Sequence, residues 1–458
     1  MRTDTIAAIA TAMTNSGIGI IRISGDDAIK TADRVIQLKE KKKKLSDCET
    51  HTVHYGFVVE EGRKIDEVMV LIMRGPKSYT REDTIEIDCH GGTLIVQRIF
   101  GLVTANGARP ADPGEFTKRA FLNGRIDLAQ AESVMDLISA KNDFALSSSM
   151  EQLSGRVSEK IRSLREQTLH ELAFIESALD DPEHYSLDSY GKDLEEKILK
   201  ILEEIENLLK NSGKGSILKE GINTVIVGKP NSGKSSLLNA LVGKERAIVT
   251  EIAGTTRDVI EEQINLGGIS LNVIDTAGIR DTEDLVEKIG VDRAKEYLEK
   301  ADLTIYVVDT SIPLNEDDIQ IMEMIRDRKV IILLNKSDLD AVVLEEDIRK
   351  YLSQTILSVS AKNHLGIDLL EEEITKLFFE GKITLNDEVF ITNARHRTSL
   401  AEAKKSLGLV LDSIRNGMPE DFYSIDLMNV YEELGLIIGE SVEDDLVEEI
   451  FGKFCMGK

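Results

Sequence analysis

The chain has 458 residues with 82 acidic and 56 basic side chains, which gives a formal net charge of −26. This balance argues against a protein that binds nucleic acid over its whole surface, because such binding needs clustered Lys and Arg facing the phosphates. The length is typical of about three domains. A composition of 41% hydrophobic and 30% charged residues is that of a folded protein and excludes a disordered chain.

The chain contains three cysteines, which cannot form a disulfide framework, so a reducing, cytoplasmic location is predicted. They are Cys48, Cys89 and Cys455. Cys455 is fourth from the end, but Gly457 and Lys458 break the pattern of a prenylation signal, and the preceding ESVEDDLVEEI is acidic. No apolar stretch approaches the ~18 residues that span a bilayer, so no membrane anchor is expected.

The first 118 residues have a mixed α/β pattern. Apolar, β-rich runs closed by Gly or turn residues predict strands in IGIIRISG at 18–25, EVMVLIM at 67–73 and TIEIDCH at 84–90. TLIVQRIFGLVTANG at 93–107 has helical spacing and a glycine at its end. Residues 1–118 are therefore predicted to form one α/β domain.

The pattern becomes helical from residue 119. KDLEEKILKILEEIENLLK at 192–210 places its Leu and Ile on one face, and NSGKGS at 211–216 is predicted to be a linker. Short β-rich runs then alternate with helix-compatible segments over 217–382, which is typical of a parallel sheet covered by helices. Residues 383–458 are helical again. The α/β segment is therefore predicted to be inserted into a helical domain built from two chain segments, 119–216 and 383–458.

The segment GKPNSGKSS at 228–236 follows a predicted strand and opens a predicted helix, which is the context of a phosphate loop. Glycines let the backbone N–H groups turn toward phosphates, and the helix N-terminus adds its positive dipole end. Lys234 is expected to neutralise β- and γ-phosphate oxygens, and the hydroxyl of Ser235 to bind magnesium.

Three further motifs follow strand ends in the order of a GTP site. Asp275 in DTAG is expected to hold magnesium through water, with the backbone of Gly278 facing the γ-phosphate. In NKSD, the carboxylate of Asp338 can accept hydrogen bonds from two donors of guanine that adenine lacks. Residues 360–362, Ser-Ala-Lys, are expected to close over the base. Four motifs in this order predict a Ras-like P-loop GTPase domain over 217–382.

The residue that orients the attacking water is not fixed by these motifs. Ras-like enzymes use a glutamine after the DxxG turn, but Ile279 occupies that place here and an apolar side chain cannot orient water. Several acids follow, and nothing local ranks them. They are Asp281, Glu283, Asp284 and Glu287.

The loop AIVTEIAGTTRD at 247–258 is small and contains glycine, as a mobile switch should. Thr256 is the predicted second magnesium ligand. Arg257 and Arg280 are interpreted as solvent-facing salt-bridge residues in preference to an arginine finger supplied in cis.

The motifs GKPNSGKSSLLNAL, AIVTEIAGTTRD, DTAGIR, NKSD and FCMGK together resemble the tRNA-modification GTPase family MnmE, also called TrmE. The resemblance covers the whole chain, since DTIAAIATAMTNSGIGIIRISG, GEFTKRAFLNGRIDLAQAE and LGLIIGESVEDDLVEEIFGKFCMGK are as family-like as the GTPase motifs. It departs at Met456, where Ile is commoner, and at Leu436, where Glu is usual. It implies a multidomain α+β and α/β fold with an N-terminal α/β folate-binding and dimerisation domain, an all-helical domain from two segments and the inserted GTPase domain.

The resemblance also implies an activity. The family is a potassium-dependent GTP hydrolase that works with the FAD-dependent partner MnmG (GidA). Together they install an aminomethyl or carboxymethylaminomethyl group at position 5 of the wobble uridine of certain tRNAs. A tetrahydrofolate derivative, 5-formyl or methylene, supplies the one-carbon unit. A cytoplasmic homodimer that joins MnmG in a hetero-oligomer is therefore expected.

Matching motifs carry the family's site residues to this chain. The implied folate contacts are Arg22, Glu82, Arg125 and Lys458, for which a strand-edge salt bridge, a helix cap and surface charges are the alternatives. The implied potassium ligands are Asn231, Thr250, Ile252 and Thr255, the magnesium ligands are Ser235 and Thr256, and Glu287 positions water. The implied GTP contacts are Asn231, Ser232, Gly233, Lys234, Ser235, Ser236, Thr250, Glu251, Ile252, Ala253, Gly254, Thr255, Thr256, Asp275, Thr276, Ala277, Gly278, Asn335, Lys336, Asp338, Ser360, Ala361 and Lys362.

Cys455 is a candidate nucleophile or proton carrier near folate or uracil, because a nearby lysine favours the thiolate; an inert small side chain is the alternative. A ribosome-assembly GTPase without modification chemistry is the alternative function. That class carries an RNA-binding module and a basic surface, which this acidic chain lacks. Most of the tRNA contact is expected from the partner, and the hypothesis includes a contribution from local clusters such as KEKKKK at 39–44. A solvated loop is the preferred interpretation of that cluster over a phosphate contact.

Overall fold

The computed structural model describes residues 4–40, 42–181, 184, 190–244, 262–274, 297–379, 390–440, 444–455 and 457. The chain divides into two compact units. The first consists of Met1–Ile138, Met150–Leu202 and Ser399–Lys458, and the second of Ser139–Ser149 and Glu203–Thr398. The finer limits after residues 118, 216 and 382 stay predictions. Within the described residues, no helix is long and apolar enough to cross a membrane.

A seven-stranded sheet forms the first part of the first unit. Its strands are β1 Ile6–Ile9, β2 Ile18–Ser24, β3 Ile36–Leu38, β4 Thr52–Glu60, β5 Arg63–Met73, β6 Thr84–His90 and β7 Arg109–Pro110. They lie in the order β3-β4-β5-β6-β2-β1-β7, and every neighbouring pair is antiparallel except β1–β7. The three predicted strands and the helix predicted at 93–107 are confirmed.

Two helices pack against this sheet, α1 Ala28–Val35 and α2 Thr93–Ala105. The core contains alternate strand residues such as Ile21, Ile23 and Ile85 together with Ile99 of α2. Alternation is expected for a sheet covered on one face, because successive strand side chains point to opposite sides. The opposite face therefore carries its own row of side chains, which includes Arg22.

Five helices follow: α3 Glu115–Leu122, α4 Leu128–Ser139, α5 Asp143–Leu153, α6 Arg156–Asp180 and α7 Tyr190–Glu220. The linker predicted at 211–216 is wrong, because α7 continues through it to Glu220. Gly215 has a packing role in this helix, because a Cβ there would lie 2.8 Å from the carbonyl oxygen of Ile391. The glycine that suggests a linker in sequence instead lets the helix backbone approach a neighbouring segment closely.

The second unit contains a six-stranded sheet in the order β13-β12-β11-β8-β10-β9. The strands are β8 Ile222–Val227, β9 Glu262–Leu266, β10 Ile269–Val273, β11 Leu303–Asp309, β12 Val330–Asn335 and β13 Thr355–Ser358. Helices α8 Lys234–Lys244, α9 Glu316–Ile325 and α10 Glu345–Arg349 lie between successive strands, and α11 Ile367–Phe379 follows β13. β11 and β12 are buried along their whole length, since separate apolar clusters cover the two faces of the sheet.

Five of these strands are parallel, as predicted, but β9 is an antiparallel edge strand. β9 and β10 form a hairpin whose two-residue turn is Gly267-Gly268, both with positive φ. Such turns favour glycine because L side chains are strained there. The carboxyl ends of the parallel strands meet at one edge of the sheet, where ligands of this fold class bind.

The last three helices are α12 Ala394–Arg415, α13 Asp421–Ile438 and α14 Asp444–Gly452. Arg165 of α6 joins α6 to α13 within the first unit: its guanidinium lies 3.9 Å from the ring centroid of Tyr431 and donates to the Tyr431 carbonyl at 3.1 Å. Phe451 and Phe454 pack in an apolar cluster with Leu128 and Ala120.

Gly114 lets this C-terminal segment approach the start of α3 closely, because it has no side chain. Its φ is +67°, and an added Cβ would lie 2.7 Å from both the Phe451 carbonyl oxygen and the Phe454 Cβ. Its N–H also donates to the carbonyl of Cys455 at 3.4 Å.

We expect Gly114→Ala to lower the free energy of unfolding by about 1–3 kcal/mol, because the new Cβ is strained and displaces Phe451 or Phe454. Denaturant unfolding and protease cleavage within 444–455 are the measurements. Gly101→Ala is the matched control: Gly101 is an exposed residue of α2 with no atom within 4 Å of an added Cβ. Gly101→Ala should raise the free energy of unfolding by up to about 1 kcal/mol, because alanine has the higher helix propensity. A Gly114→Ala protein as stable as wild type would contradict this account.

Candidate functional site

The phosphate-loop segment joins the end of β8 to the start of α8 at Lys234. Two of its glycines leave no room for a side chain. A Cβ on Gly228, whose φ is +154°, would lie 2.4 Å from the carbonyl oxygen of Val307, and one on Gly233 would lie 2.1 Å from Nδ2 of Asn335. The loop is therefore pressed against β11 and the end of β12, with the N-terminus of α8 and its positive dipole end at its mouth.

Lys234 lies across this loop. Its Nζ donates to the carbonyls of Gly228 at 2.8 Å and Lys229 at 2.9 Å. Ser235 follows in the first turn of α8, and Asn231 has a φ of +59° and an exposed side chain. The ammonium group thus lies beside the loop backbone where an anion would meet it.

Asn335 joins the loop to two other predicted motifs. Its Nδ2 donates to the carbonyl of Ser232 at 2.8 Å, and its Oδ1 accepts from the N–H of Ala361 at 3.0 Å. Its own carbonyl accepts from the hydroxyl of Thr310 at 2.9 Å. The end of β12 therefore holds the phosphate loop and the loop at 360–362 in one arrangement.

The carboxylate of Asp338 lies beside Ser360. The Ser360 hydroxyl donates to Asp338 Oδ1 at 2.5 Å, and this hydrogen bond is the main reason that the pKa of Asp338 is lowered. Because Ser360 is fully buried, its side chain fixes one oxygen of the carboxylate. The other predicted residues of this region, Ser236 and Lys362, are exposed.

Lys336 has a positive φ of 65° and pairs with Asp309 at the end of β11, with 2.5 Å between Nζ and Oδ2. Burial by itself would raise the pKa of Asp309, but hydrogen bonds from Lys336 and Ser311 outweigh it and the pKa is lowered. Asp309 was not predicted from the sequence, because it belongs to none of the four motifs and only the sheet brings it to Lys336.

A second ion pair, buried on both sides, also escaped prediction. Nζ of Lys229 donates to Oδ2 of Asp318 at 2.7 Å, and the two side chains are 6% and 0% exposed. The hydroxyl of Tyr306 donates to the other oxygen of Asp318 at 3.1 Å. Lys229 is a variable position of the phosphate-loop pattern, and Asp318 is distant in sequence, so no motif links them.

Several predicted site residues lie outside the described residues. They are Thr250, Glu251, Ile252, Ala253, Gly254, Thr255, Thr256, Arg257, Asp275, Thr276, Ala277, Gly278, Ile279, Arg280, Asp281, Glu283, Asp284, Glu287 and Lys458. Their roles stay predictions.

The first unit contains a separate cluster in which Arg22 and Arg125 both lie against Tyr79. The guanidinium carbons are 6.0 Å and 4.6 Å from the ring centroid, and Arg22 is also 5.7 Å from the ring of Phe116. Arg22 is a partly buried residue paired with Glu86 at 2.7 Å, whereas Arg125 is exposed. Tyr79 and Phe116 were missed in the sequence because an aromatic residue in a loop or helix carries no motif.

Glu82 lies on the same loop as Tyr79 and belongs to a charged network. It accepts from Ser24 at 2.8 Å and from the buried Arg119 at 3.0 Å. Arg119 also pairs with Asp4 at 3.1 Å and Glu115 at 2.9 Å. The pKa of Asp4 is lowered, chiefly by its hydrogen bond from Arg109, and the pKa of Glu115 is lowered because Arg109 and Arg119 outweigh the effect of burial.

The C-terminal motif reaches this cluster. Nη1 of Arg22 donates to the carbonyl of Gly457 at 3.1 Å, and an added Cβ on Gly457 would lie 2.7 Å from the carbonyl oxygen of Ile9. Cys455 is exposed, and its carbonyl accepts from Gly114. The structure therefore brings Arg22, Arg125 and the motif that contains Cys455 to one side of the N-terminal sheet.

A doubly covered parallel sheet, a strand–loop–helix phosphate cradle and an Asn-Lys-x-Asp segment at the same sheet edge define a P-loop protein of the GTPase class. Two family models match the chain: "GTP-binding protein TrmE N-terminus" over residues 5–125 and "MnmE helical domain" over residues 128–455. These matches and the two sheets confirm the predicted fold class.

Relatives that match along the whole chain are named tRNA modification GTPase MnmE. The protein of Lachnoclostridium phytofermentans is 58% identical over 458 residues, 100% of both chains. That of Geobacillus thermodenitrificans is 48% identical over 99% of both chains, and that of Bacillus subtilis is 47% identical over 99% of this chain and 100% of its own. The chain belongs to the MnmE family of tRNA modification GTPases and is a GTP-hydrolysing enzyme.

One solved structure, the G domain of the T. maritima FeoB iron transporter, is 29% identical over 34% of this chain and 97% of its own, with a TM-score of 0.26. A TM-score this low adds nothing to the fold assignment.

We expect Asp338→Asn to weaken GTP binding by about 100-fold, because the amide N–H would face a guanine donor and leave it unpaired. XTP, which presents a carbonyl where guanine has its amine, should then bind better than GTP. Fluorescence titration of both nucleotides is the measurement. Asp340→Asn, the same change at an exposed position two residues along, is the control. If Asp338→Asn still prefers GTP to XTP, Asp338 does not recognise the guanine base.

Proposed function

We propose that the chain is a potassium-dependent GTP hydrolase that, with the FAD-dependent partner MnmG, installs an aminomethyl or carboxymethylaminomethyl group at position 5 of the wobble uridine of certain tRNAs. GTP binding is supported chiefly by the two hydrogen bonds of the Asn335 side chain, which join the phosphate loop to the loop beside Asp338. The membership of the MnmE family supports the tRNA part.

In this proposal Lys234 turns from the carbonyls of Gly228 and Lys229 to the β- and γ-phosphates of GTP. Ser235 and Thr256 hold magnesium, which neutralises phosphate charge. Asp338 recognises guanine, and its ionised form is favoured by the hydrogen bond from Ser360. Glu287 orients the attacking water in place of the glutamine that Ile279 replaces.

The proposed potassium site includes Asn231 together with Thr250, Ile252 and Thr255. Asn231 fits such a site, because an amide oxygen suits a hard cation and its left-handed backbone exposes the side chain at the loop surface. When bound, the cation supplies positive charge that favours the charge developing between the β- and γ-phosphates. It thereby takes the place of an arginine finger.

The proposed folate site is the cluster around Tyr79. Arg22 and Arg125 present two cations beside an aromatic ring, which fits a ligand that combines a carboxylate tail with a flat ring. Glu82 and Lys458 complete the proposed contacts. When bound, a tetrahydrofolate derivative supplies the one-carbon unit, and Cys455 acts as nucleophile or proton carrier in the modification.

A homodimer through the N-terminal domain is supported by an exposed apolar region on one face of its sheet. Val53, Tyr55, Met69 and Ile18 are 39–60% exposed on this face, and Arg22 lies on the same side of β2 as Ile18. An apolar face of this kind is typical of a protein interface. The cytoplasmic location and the domain limits after residues 118, 216 and 382 belong to the same proposal.

GTP hydrolysis should be faster in potassium chloride than in sodium chloride at equal ionic strength, by about tenfold, because sodium is too small for a carbonyl-lined site. Phosphate release by the wild type and by Asn231→Ala is the measurement. The variant should lose most of the difference between the two salts. Equal wild-type rates in both salts would contradict the proposed potassium dependence but not GTP hydrolysis itself.

Nucleoside mass spectrometry of tRNA tests the modification chemistry. Cells that lack this chain should lose the modified wobble uridine, and wild type should restore it. We expect Cys455→Ser to restore little of it while the purified variant keeps its GTPase rate, because Cys455 lies far in sequence from the phosphate loop and only two residues before Gly457, whose carbonyl accepts from Arg22. Full restoration of the modified uridine by Cys455→Ser would show that the modification does not need the thiol. An unchanged tRNA in the deletion strain would reject the tRNA function.

A further inference from the structure

The phosphate loop contains a buried cation that does not face the proposed phosphate site. Lys229 is the second residue of the loop, yet its Nζ points into the unit and donates to Asp318 at 2.7 Å and to the carbonyl of Pro313 at 3.2 Å. Asp318 is fully buried near the start of α9. A buried ion pair is expensive in desolvation and is stable only when both charges are fully hydrogen-bonded.

Three donors from three chain segments satisfy the carboxylate of Asp318. They are Nζ of Lys229 in the loop, the hydroxyl of Tyr306 in β11 at 3.1 Å and the backbone N–H of Asn315 before α9 at 3.0 Å. The hydrogen bonds from Tyr306 and Asn315 fix the position of Asp318. Asp318 in turn fixes the side chain of Lys229. An exposed lysine would offer the loop no such anchor.

The residue that is anchored by its side chain also contacts the phosphate-binding lysine through its backbone. The carbonyl of Lys229 accepts from Nζ of Lys234 at 2.9 Å and from the N–H of Ser232 at 3.2 Å. A shift of Lys229 therefore moves the backbone that supports both groups. Loops that are ordered before a ligand arrives bind it more tightly, because less conformational entropy is lost on binding.

We propose that the Lys229–Asp318 ion pair positions the phosphate loop for the β-phosphate of the nucleotide. Lys229 and Asp318 are positioning residues and touch no substrate. The inference rests on the proposed nucleotide site, but it concerns a contact on the opposite side of the loop. Its consequence is that nucleotides with a β-phosphate depend on the pair, whereas GMP, which lacks one, depends on it much less.

The test compares GDP and GMP binding by titration calorimetry, well below the unfolding temperature of each variant. Lys229→Met and Asp318→Asn should each raise the Kd for GDP by about tenfold and that for GMP by about twofold or less. Lys229→Arg keeps the charge and should stay within about twofold of wild type for both nucleotides. The double variant Lys229→Met with Asp318→Asn should lose less than the sum of the single changes, because the two residues share one interaction.

Leu352→Ala is the control for a general loss of stability. Leu352 is a buried residue in the same apolar cluster as Tyr306, and its removal should lower the melting temperature without changing either Kd. Should the ion-pair variants fail to fold, Tyr306→Phe carries the test, since it removes one donor from Asp318 and should raise the GDP Kd by about threefold.

The inference is overturned if every folded variant shows the wild-type ratio of the GMP and GDP Kd values, even with a lower melting temperature. That result would make the pair structural only. A wild-type chain that binds no GDP would instead overturn the proposed nucleotide site, and this inference with it.

Discussion

The nucleotide site depends on the two hydrogen bonds of the Asn335 side chain. One fixes the carbonyl of Ser232 in the phosphate loop, and the other fixes the N–H of Ala361. The same amide occupies the space that a side chain on Gly233 would need. These contacts are possible because β8, β11 and β12 are parallel, so their carboxyl ends and the loops that follow them meet at one edge. The phosphate loop and the segment that contains Ala361 thereby share a single support.

Both candidate sites lie beside charges that the fold has buried. Arg119 is held by three carboxylates next to the cluster around Tyr79, and Lys229 is held by Asp318 beneath the phosphate loop. Apolar side chains in such places commonly give equal or greater stability. Charged pairs instead impose direction, since each hydrogen bond fixes an angle as well as a distance. The occurrence of such pairs behind both sites is consistent with a role in positioning ligands.

Predictions from the sequence succeeded where a pattern is local. The buried strands β11 and β12 were predicted because they are continuous apolar runs, and the phosphate loop because its glycines and lysine have fixed spacing. The predictions failed where contacts with other parts of the chain determine the local structure. Helix α7 runs through NSGKGS, where Gly215 allows a close approach to the Ile391 carbonyl and does not mark a linker. β4 and β9 were missed because β4 interrupts its apolar run with His54 and Gly56, and β9 is a short edge strand.

The sequence by itself determined the class of protein, because the chemistry of phosphates and guanine requires certain residue types at short, fixed spacings. It also placed Arg22, Glu82 and Arg125 among the candidate ligand contacts through a family resemblance. Only the tertiary structure decided which distant residues support them: Asp318 behind Lys229, Asp309 beside Lys336, and Tyr79 beside two arginines. Such partners are separated by tens of residues, so their contact depends on strand order and helix packing, which no local pattern encodes.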